Sequence, residues 1–382
     1  MKRFIGALAL VIGAIAIGGG GAFAAGHLGA DPHGAIATGT GTNTSPSGGI
    51  VAFGDSIAAG YGLGPAFGFP DNPHAYAALM ADDLGVPYTN EANSGACAAP
   101  TDAPDFPAEC GAAGQPTVQD QIDAAPSDPN ASIVTLTVGA DDIAFDKCLK
   151  LIFQDGNFDV AGNPCGAPSL RDDIAAFKPA LANDINAIEA NYPNAEVEVM
   201  QYYNPFPPQV SASQSPCRLY YIPTFMDAHR RGNSWFDIGR AFFKHHDQFI
   251  NEVRSVQNVV SQASRRVIRD LNRAIGDVAS ANGAVAVPVT FAGHSVCNGT
   301  DAWAFAARAH VEFKYLGFKL FDQTLGGRRR CPDPNQGLEW DIRISVNQDW
   351  GRFEADGGVN CMPHPNKTGQ EVIKTDFLAA LR

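Results

Sequence analysis

Short apolar, β-branched runs alternate along this chain with stretches whose apolar residues recur every three or four positions. The short runs, at 50–53, 88–92, 132–138, 196–203 and 284–289, have the length and residue types of strands. Between the first two, Tyr76, Leu79, Met80 and Leu84 lie on one helical stripe that stops at Gly85. A second helical stretch covers 174–193, kinked or begun at Pro179. The longest covers 247–281, where Phe249, Ile250, Val253, Val256, Val260, Val267, Leu271, Ile275 and Val278 form one apolar stripe, the packing face of a long helix. Strand alternating with helix predicts an α/β fold, a parallel sheet covered on both faces. Two stretches, 205–246 and 300–358, break the alternation. They are expected as loop insertions at one end of the sheet, where the pockets of such folds form.

The first residues change the picture. Lys2 and Arg3 precede an apolar stretch over 4–17, then glycines, then Ala22-Phe23-Ala24. That is the layout of a secretory signal peptide cut after Ala24, so residues 1–24 are expected to be removed. The stretch is too short and glycine-rich for a membrane anchor, and no later segment reads as a span, so a secreted, extracellular chain is expected. Residues 25–47 read as a flexible leader and 48–382 as one folded domain. Export makes the eight cysteines disulfide partners. Cys97 with Cys110 and Cys148 with Cys165 are the nearest neighbours in sequence, each closing a short Pro/Gly-rich loop. For the rest, Cys217–Cys297 and Cys331–Cys361 are the expected pairs.

No Cys-x-x-Cys pair is present, and His229, His245 and His246 lack partners at ligand spacing, so neither a metal nor a cofactor is expected. A formal charge of −13 argues against a nucleic-acid partner. The expected partner is a small molecule, and a monomer is expected.

"VAFGDSIAAGYG" (51–62) suggests the chemistry. A serine just past a central strand sits at the rim of the sheet, and small neighbours let a carbonyl approach it. Its hydroxyl attacks nothing without a base. His364, between two prolines ahead of a C-terminal helix, is the candidate base. Gly95, beyond the second strand, offers an unhindered N–H, and Asp141 and Asp142 follow the third. Strand ends thus supply the parts of an acyl-transfer site: Ser56 as nucleophile, with the N–H groups of Ser56 and Gly95 as an oxyanion hole. Asp55 is expected to hydrogen-bond beneath the nucleophile, and Asp142 to fix its own turn.

These motifs resemble the GDSL-type, or SGNH, hydrolases. "GDSIAAGYG" is similar to the first block of that family, "NSGA" to the second, "GADD" to the third and "HPNKTG" to the fifth, in the same order. The cysteines and "FAGHSVCNGTDAW" (291–303) look like the secreted actinobacterial esterase branch. The resemblance implies a flavodoxin-like, three-layer α/β/α domain with a five-stranded parallel sheet and metal-free ester hydrolysis. It carries two departures. The third block normally has an Asn that donates to the oxyanion, where this chain has Asp141. An ionised Asp141 would repel that oxyanion, whereas a protonated one would donate to it and bias activity towards acid pH; the alternative is that Asp141 faces elsewhere. The family's Asp three residues before the histidine is here Cys361. Either its carbonyl orients His364, leaving a Ser-His dyad, or a carboxylate such as Asp356 completes a triad. The expected activity is a secreted carboxylesterase or lipase-like hydrolase. The rivals are a carbohydrate or cell-wall O-deacetylase acting on acylated glycans, and a non-catalytic binding protein on a decayed hydrolase scaffold.

Overall fold

The computed structural model describes residues 48–63, 72–98, 116–145, 148, 152, 167–206, 208, 210–234, 237–238, 241, 245–297, 302–304, 308–315, 318–326, 339–346, 353–354 and 364–381. The expected signal peptide and leader lie outside them. The central sheet comprises β1 (Ile50–Gly54), β2 (Tyr88–Asn90), β3 (Ile133–Thr137), β4 (Glu196–Gln201) and β5 (Val285–Pro288). Its order is β2-β1-β3-β4-β5, parallel throughout. β1 and β3 are buried along their whole length, as continuous apolar runs in a sheet covered on both faces must be.

Around the sheet lie α1 (Tyr76–Leu84), α2 (Val118–Ala124), α3 (Ala167–Asn191), α4 (Tyr221–Arg230), α5 (His246–Ala281) and α6 (Lys367–Ala380). α1 and α6 cover one face; there Tyr76 meets both Phe377 and the hydroxyl of Thr137. α2, α3 and α5 cover the other, where Phe53 meets Tyr192 just beyond α3. The result is the three-layer α/β/α arrangement. α1 ends at Gly85 in the left-handed region, as the sequence suggests. α5 buries the predicted stripe, with Ile250 half-exposed at its edge. α3 begins at Ala167, well before Pro179, and runs through it. The bond lost at the proline is offset by Phe177, Leu181, Ile185 and Ile188, all fully buried.

The stretch expected as a loop insertion at 300–358 instead contains a second sheet of four strands. These are β6 (Arg308–Tyr315), β7 (Phe318–Gly326), β8 (Glu339–Val346) and β9 (Phe353–Glu354), in the order β7-β6-β8-β9. In the other insertion, a short 3-10 turn (Arg218–Tyr220) leads into α4. Cys217 and Cys297 are disulfide-bonded, tying that insertion to the loop after β5. Cys97 and Cys148 are also in disulfides. Cys110, Cys165, Cys331 and Cys361, invoked in the other expected pairs, lie outside the described residues. Among the described residues no helix is long and apolar enough to cross a membrane.

Candidate active site

In a sheet ordered 2-1-3-4-5, the connections leaving β1 and β3 depart to opposite faces, and the crevice opened at their carboxyl ends is where ligands bind in such folds. Ser56 follows β1 and Asp141 follows β3. Gly54 closes β1 at φ +126°, and a Cβ there would overlap the carbonyl oxygen of Thr137 on β3. Only glycine permits that approach, which brings the Asp55 N–H to 2.8 Å from the same carbonyl. From α2, the Gln121 side chain grips Gly54 twice, accepting from its N–H at 2.8 Å and donating to its carbonyl at 3.0 Å. The chain then enters a helical turn in which Tyr61 N–H donates to the Ser56 carbonyl at 2.9 Å. Ser56 is therefore presented, half-buried, from a peptide anchored on both sides.

His364 lies 308 residues further on, and its Nε2 is 2.7 Å from Ser56 Oγ. Pro365 bridges to Ala304, and the Asn366 N–H donates to the Trp303 carbonyl at 2.9 Å. Asn366 also caps α6, accepting from Gly369 N–H at 3.2 Å while its amide donates to the Ala302 carbonyl at 2.6 Å. From α6, Gln370 donates to the Ile57 carbonyl at 3.1 Å and accepts from Tyr76 N–H at 2.9 Å, locking helix to nucleophile turn. The Tyr61 ring lies 4.7 Å from the imidazole, centre to centre. Cys361 and Asp356, the two candidates for orienting the histidine, lie outside the described residues.

The loop after β2 is held to β1 by Asn93 N–H donating to the Gly54 carbonyl at 2.9 Å, and Gly95 turns at φ +83°. Among the described residues, no hydrogen bond engages the backbone N–H of Ser56 or of Gly95. Both residues are half-buried. Asp141 is half-buried in a tight turn closed by Ala144 N–H on its carbonyl at 3.0 Å. Asp142 does more than fix that turn: fully buried, it accepts from Ala98 N–H at 3.0 and 3.2 Å and so ties the Gly95 loop to the Asp141 loop.

Beneath Ser56, Asp55 is 1% exposed. Its Oδ1 accepts from Ile57 N–H at 2.8 Å, and Oδ2 accepts the proton of Tyr202. Burial raises its carboxyl to about 6, against those two donors. Gln121, Gln370 and Tyr202 did not stand out in the sequence. Tyr202 belongs to a cluster, "YYNPFPP", whose aromatics suit a pocket wall or a core equally well; Tyr202, Tyr203 and Phe206 prove buried. His294 stacks on Trp303 at 3.7 Å, bracing the segment that holds the His364 loop.

Comparison with known proteins bears on this arrangement. The model of the GDSL-like Lipase/Acylhydrolase family matches residues 52–312. No curated protein matches significantly. Among solved structures, phospholipase A1 from Streptomyces albidoflavus NA297 is 18% identical, with 87% of this chain and 99% of that one covered and a TM-score of 0.47. An extracellular lipase from Streptomyces rimosus is 17% identical, covering 88% and 100%, with a TM-score of 0.48. Est24, a carbohydrate acetylesterase from Sinorhizobium meliloti, is 13% identical, covering 63% and 83%, with a TM-score of 0.33.

Proposed function

Because the chain belongs to the GDSL-like lipase/acylhydrolase family, and is an ester hydrolase, we propose that it is a secreted serine carboxylesterase using Ser56 and His364. The observation that carries this reading is the 2.7 Å separation between Ser56 Oγ and His364 Nε2. A serine hydroxyl is a poor nucleophile at neutral pH, and a neutral imidazole at hydrogen-bond distance is the group that activates it. Ser56 Oγ attacks the ester carbonyl carbon while its proton passes to Nε2. The resulting oxyanion is received by the N–H groups of Ser56 and Gly95. Each such donor is worth roughly 3 kcal/mol. As the intermediate collapses, the Nε2 proton goes to the leaving alcohol and an acyl-serine remains. Water, deprotonated by the same imidazole, then releases the acid. Asp141 adds a third donor only while its carboxyl carries a proton.

Secretion is supported by the charged, apolar, Ala-x-Ala order of the first residues and by the Cys217–Cys297 disulfide, a bond suited to an oxidising compartment. The substrate class is a small carboxylic ester with an acyl chain. A fluorophosphonate probe is expected to label the wild type on Ser56 and to leave Ser56→Ala unmodified. Ser56→Ala is also expected to lose about 10³-fold or more in nitrophenyl ester hydrolysis. Acetylated sugars tested alongside esters of increasing chain length report the acyl preference. Absence of labelling across pH 4 to 8, the range of ordinary carboxyl and imidazole titration, would sink the proposal in favour of a binding protein.

A further inference from the structure

Tyr202 lies just beyond β4, a strand that carries none of the groups assigned above, and its hydroxyl joins two of the loops that do. Ala140 N–H, immediately before Asp141, donates to the Tyr202 oxygen at 3.2 Å. The Tyr202 proton goes to Asp55 Oδ2, since an amide N–H can only donate and the hydroxyl has one proton to give. Asp55 Oδ1 in turn accepts from Ile57 N–H at 2.8 Å, on the far side of Ser56. The chain of donors runs one way, from the loop after β3, through the tyrosine, to the nucleophile turn. The ring is aimed from its own backbone. Asn272 on α5 accepts from Tyr202 N–H at 2.7 Å and donates to its carbonyl at 2.8 Å.

We propose that Tyr202 is a positioning residue for the hydrolytic reaction, holding the turn that presents Ser56 and the turn that carries Asp141 at a fixed separation through Asp55 and Ala140. This rests on the reading of Ser56 as the nucleophile. Asp55 is buried, and the hydroxyl is one of the few groups that favours its charged form. Other titratable groups face this cluster: Tyr76 from α1, Tyr203 beside Tyr202, Asp141 from the turn after β3, and His364 across Ser56. Removing the hydroxyl leaves Asp55 Oδ2 and Ala140 N–H without their partner. Asp55 then ionises at higher pH, and the acid limb of the activity profile moves up with it. His364 titrates in the same range, so the shift must be shown to depend on Asp55.

The test uses the full chain as wild type, Tyr202→Phe, Asp55→Asn and the double variant, with nitrophenyl ester kinetics from pH 4 to 9, spanning the carboxyl and imidazole ranges. Tyr202→Phe is expected to lower kcat about tenfold or more with KM within about twofold, and to shift the acid limb to higher pH. In the Asp55→Asn background the same substitution is expected to leave the acid limb where it was and to cost less in kcat. A Tyr202→Phe enzyme with wild-type kcat and acid limb overturns the inference, as does an equal shift with and without Asp55. Fluorophosphonate labelling of the wild type separates the two failures. An unlabelled Ser56 overturns the functional reading and this inference with it; a labelled Ser56 with an indifferent Tyr202→Phe overturns the inference alone.

Discussion

At the scale of single residues, the site depends on positions where one atom more would not fit. Gly54 has both a positive φ and a strand carbonyl where its Cβ would go. Gly54→Ala is therefore expected to destabilise the fold by more than about 3 kcal/mol, seen as a lowered urea midpoint. On the proposed reading Asp141 is the opposite case, a residue that fits but whose ionised carboxylate would repel the oxyanion. Asp141→Asn supplies a neutral donor at every pH, so hydrolysis above about pH 7 is expected to rise on the order of tenfold and the profile to broaden towards alkali. A pH–rate comparison of the two proteins checks it. His364, which lies 2.7 Å from Ser56 Oγ, draws attention in the sequence by the two prolines that flank it ahead of a helix. Gln121 and Tyr202 draw none, because they act across 67 and 147 residues and nothing in their local sequence announces the partner.

At the scale of elements, alternation of strand and helix carried most of the central sheet, since buried parallel strands are unbroken apolar runs. α2 escaped because four of its seven residues are polar or acidic, its larger apolar residues are only Val118 and Ile122, and its start is marked only by the Thr117–Asp120 capping box. The second sheet has a sequence signal of a different kind from the parallel units. Ala309, Val311, Phe313 and Tyr315 alternate with polar residues, and register pairs them with Trp340, Ile342, Ile344 and Val346. β4 holds a further anomaly in Glu198, fully buried between Thr135 and Val285, with neither carboxyl oxygen hydrogen-bonded among the described residues. Burial, helped by the charge of Glu196, raises its carboxyl from 4.5 to about 8. The folded state thus holds a proton that the unfolded chain releases above 4.5. The ionisation of Glu198 costs no stability below that pH, an increasing amount between 4.5 and about 8, and its full amount beyond. Glu198→Gln is expected to match the wild type near pH 4.5 and to exceed it by a few kcal/mol near pH 8, read from thermal midpoints across that range.

At the scale of the whole molecule, the two groups paired at 2.7 Å stand 308 positions apart, with every strand of the central sheet but β1 lying between one and the other in sequence. A ribosome lays down Ser56 308 positions before His364. Until α6 docks against the nucleophile turn through Gln370, the Ser56 hydroxyl lacks the His364 imidazole beside it. On the proposed reading, hydrolytic competence is a property of the assembled tertiary structure, absent from any folding intermediate in which α6 has yet to reach the nucleophile turn.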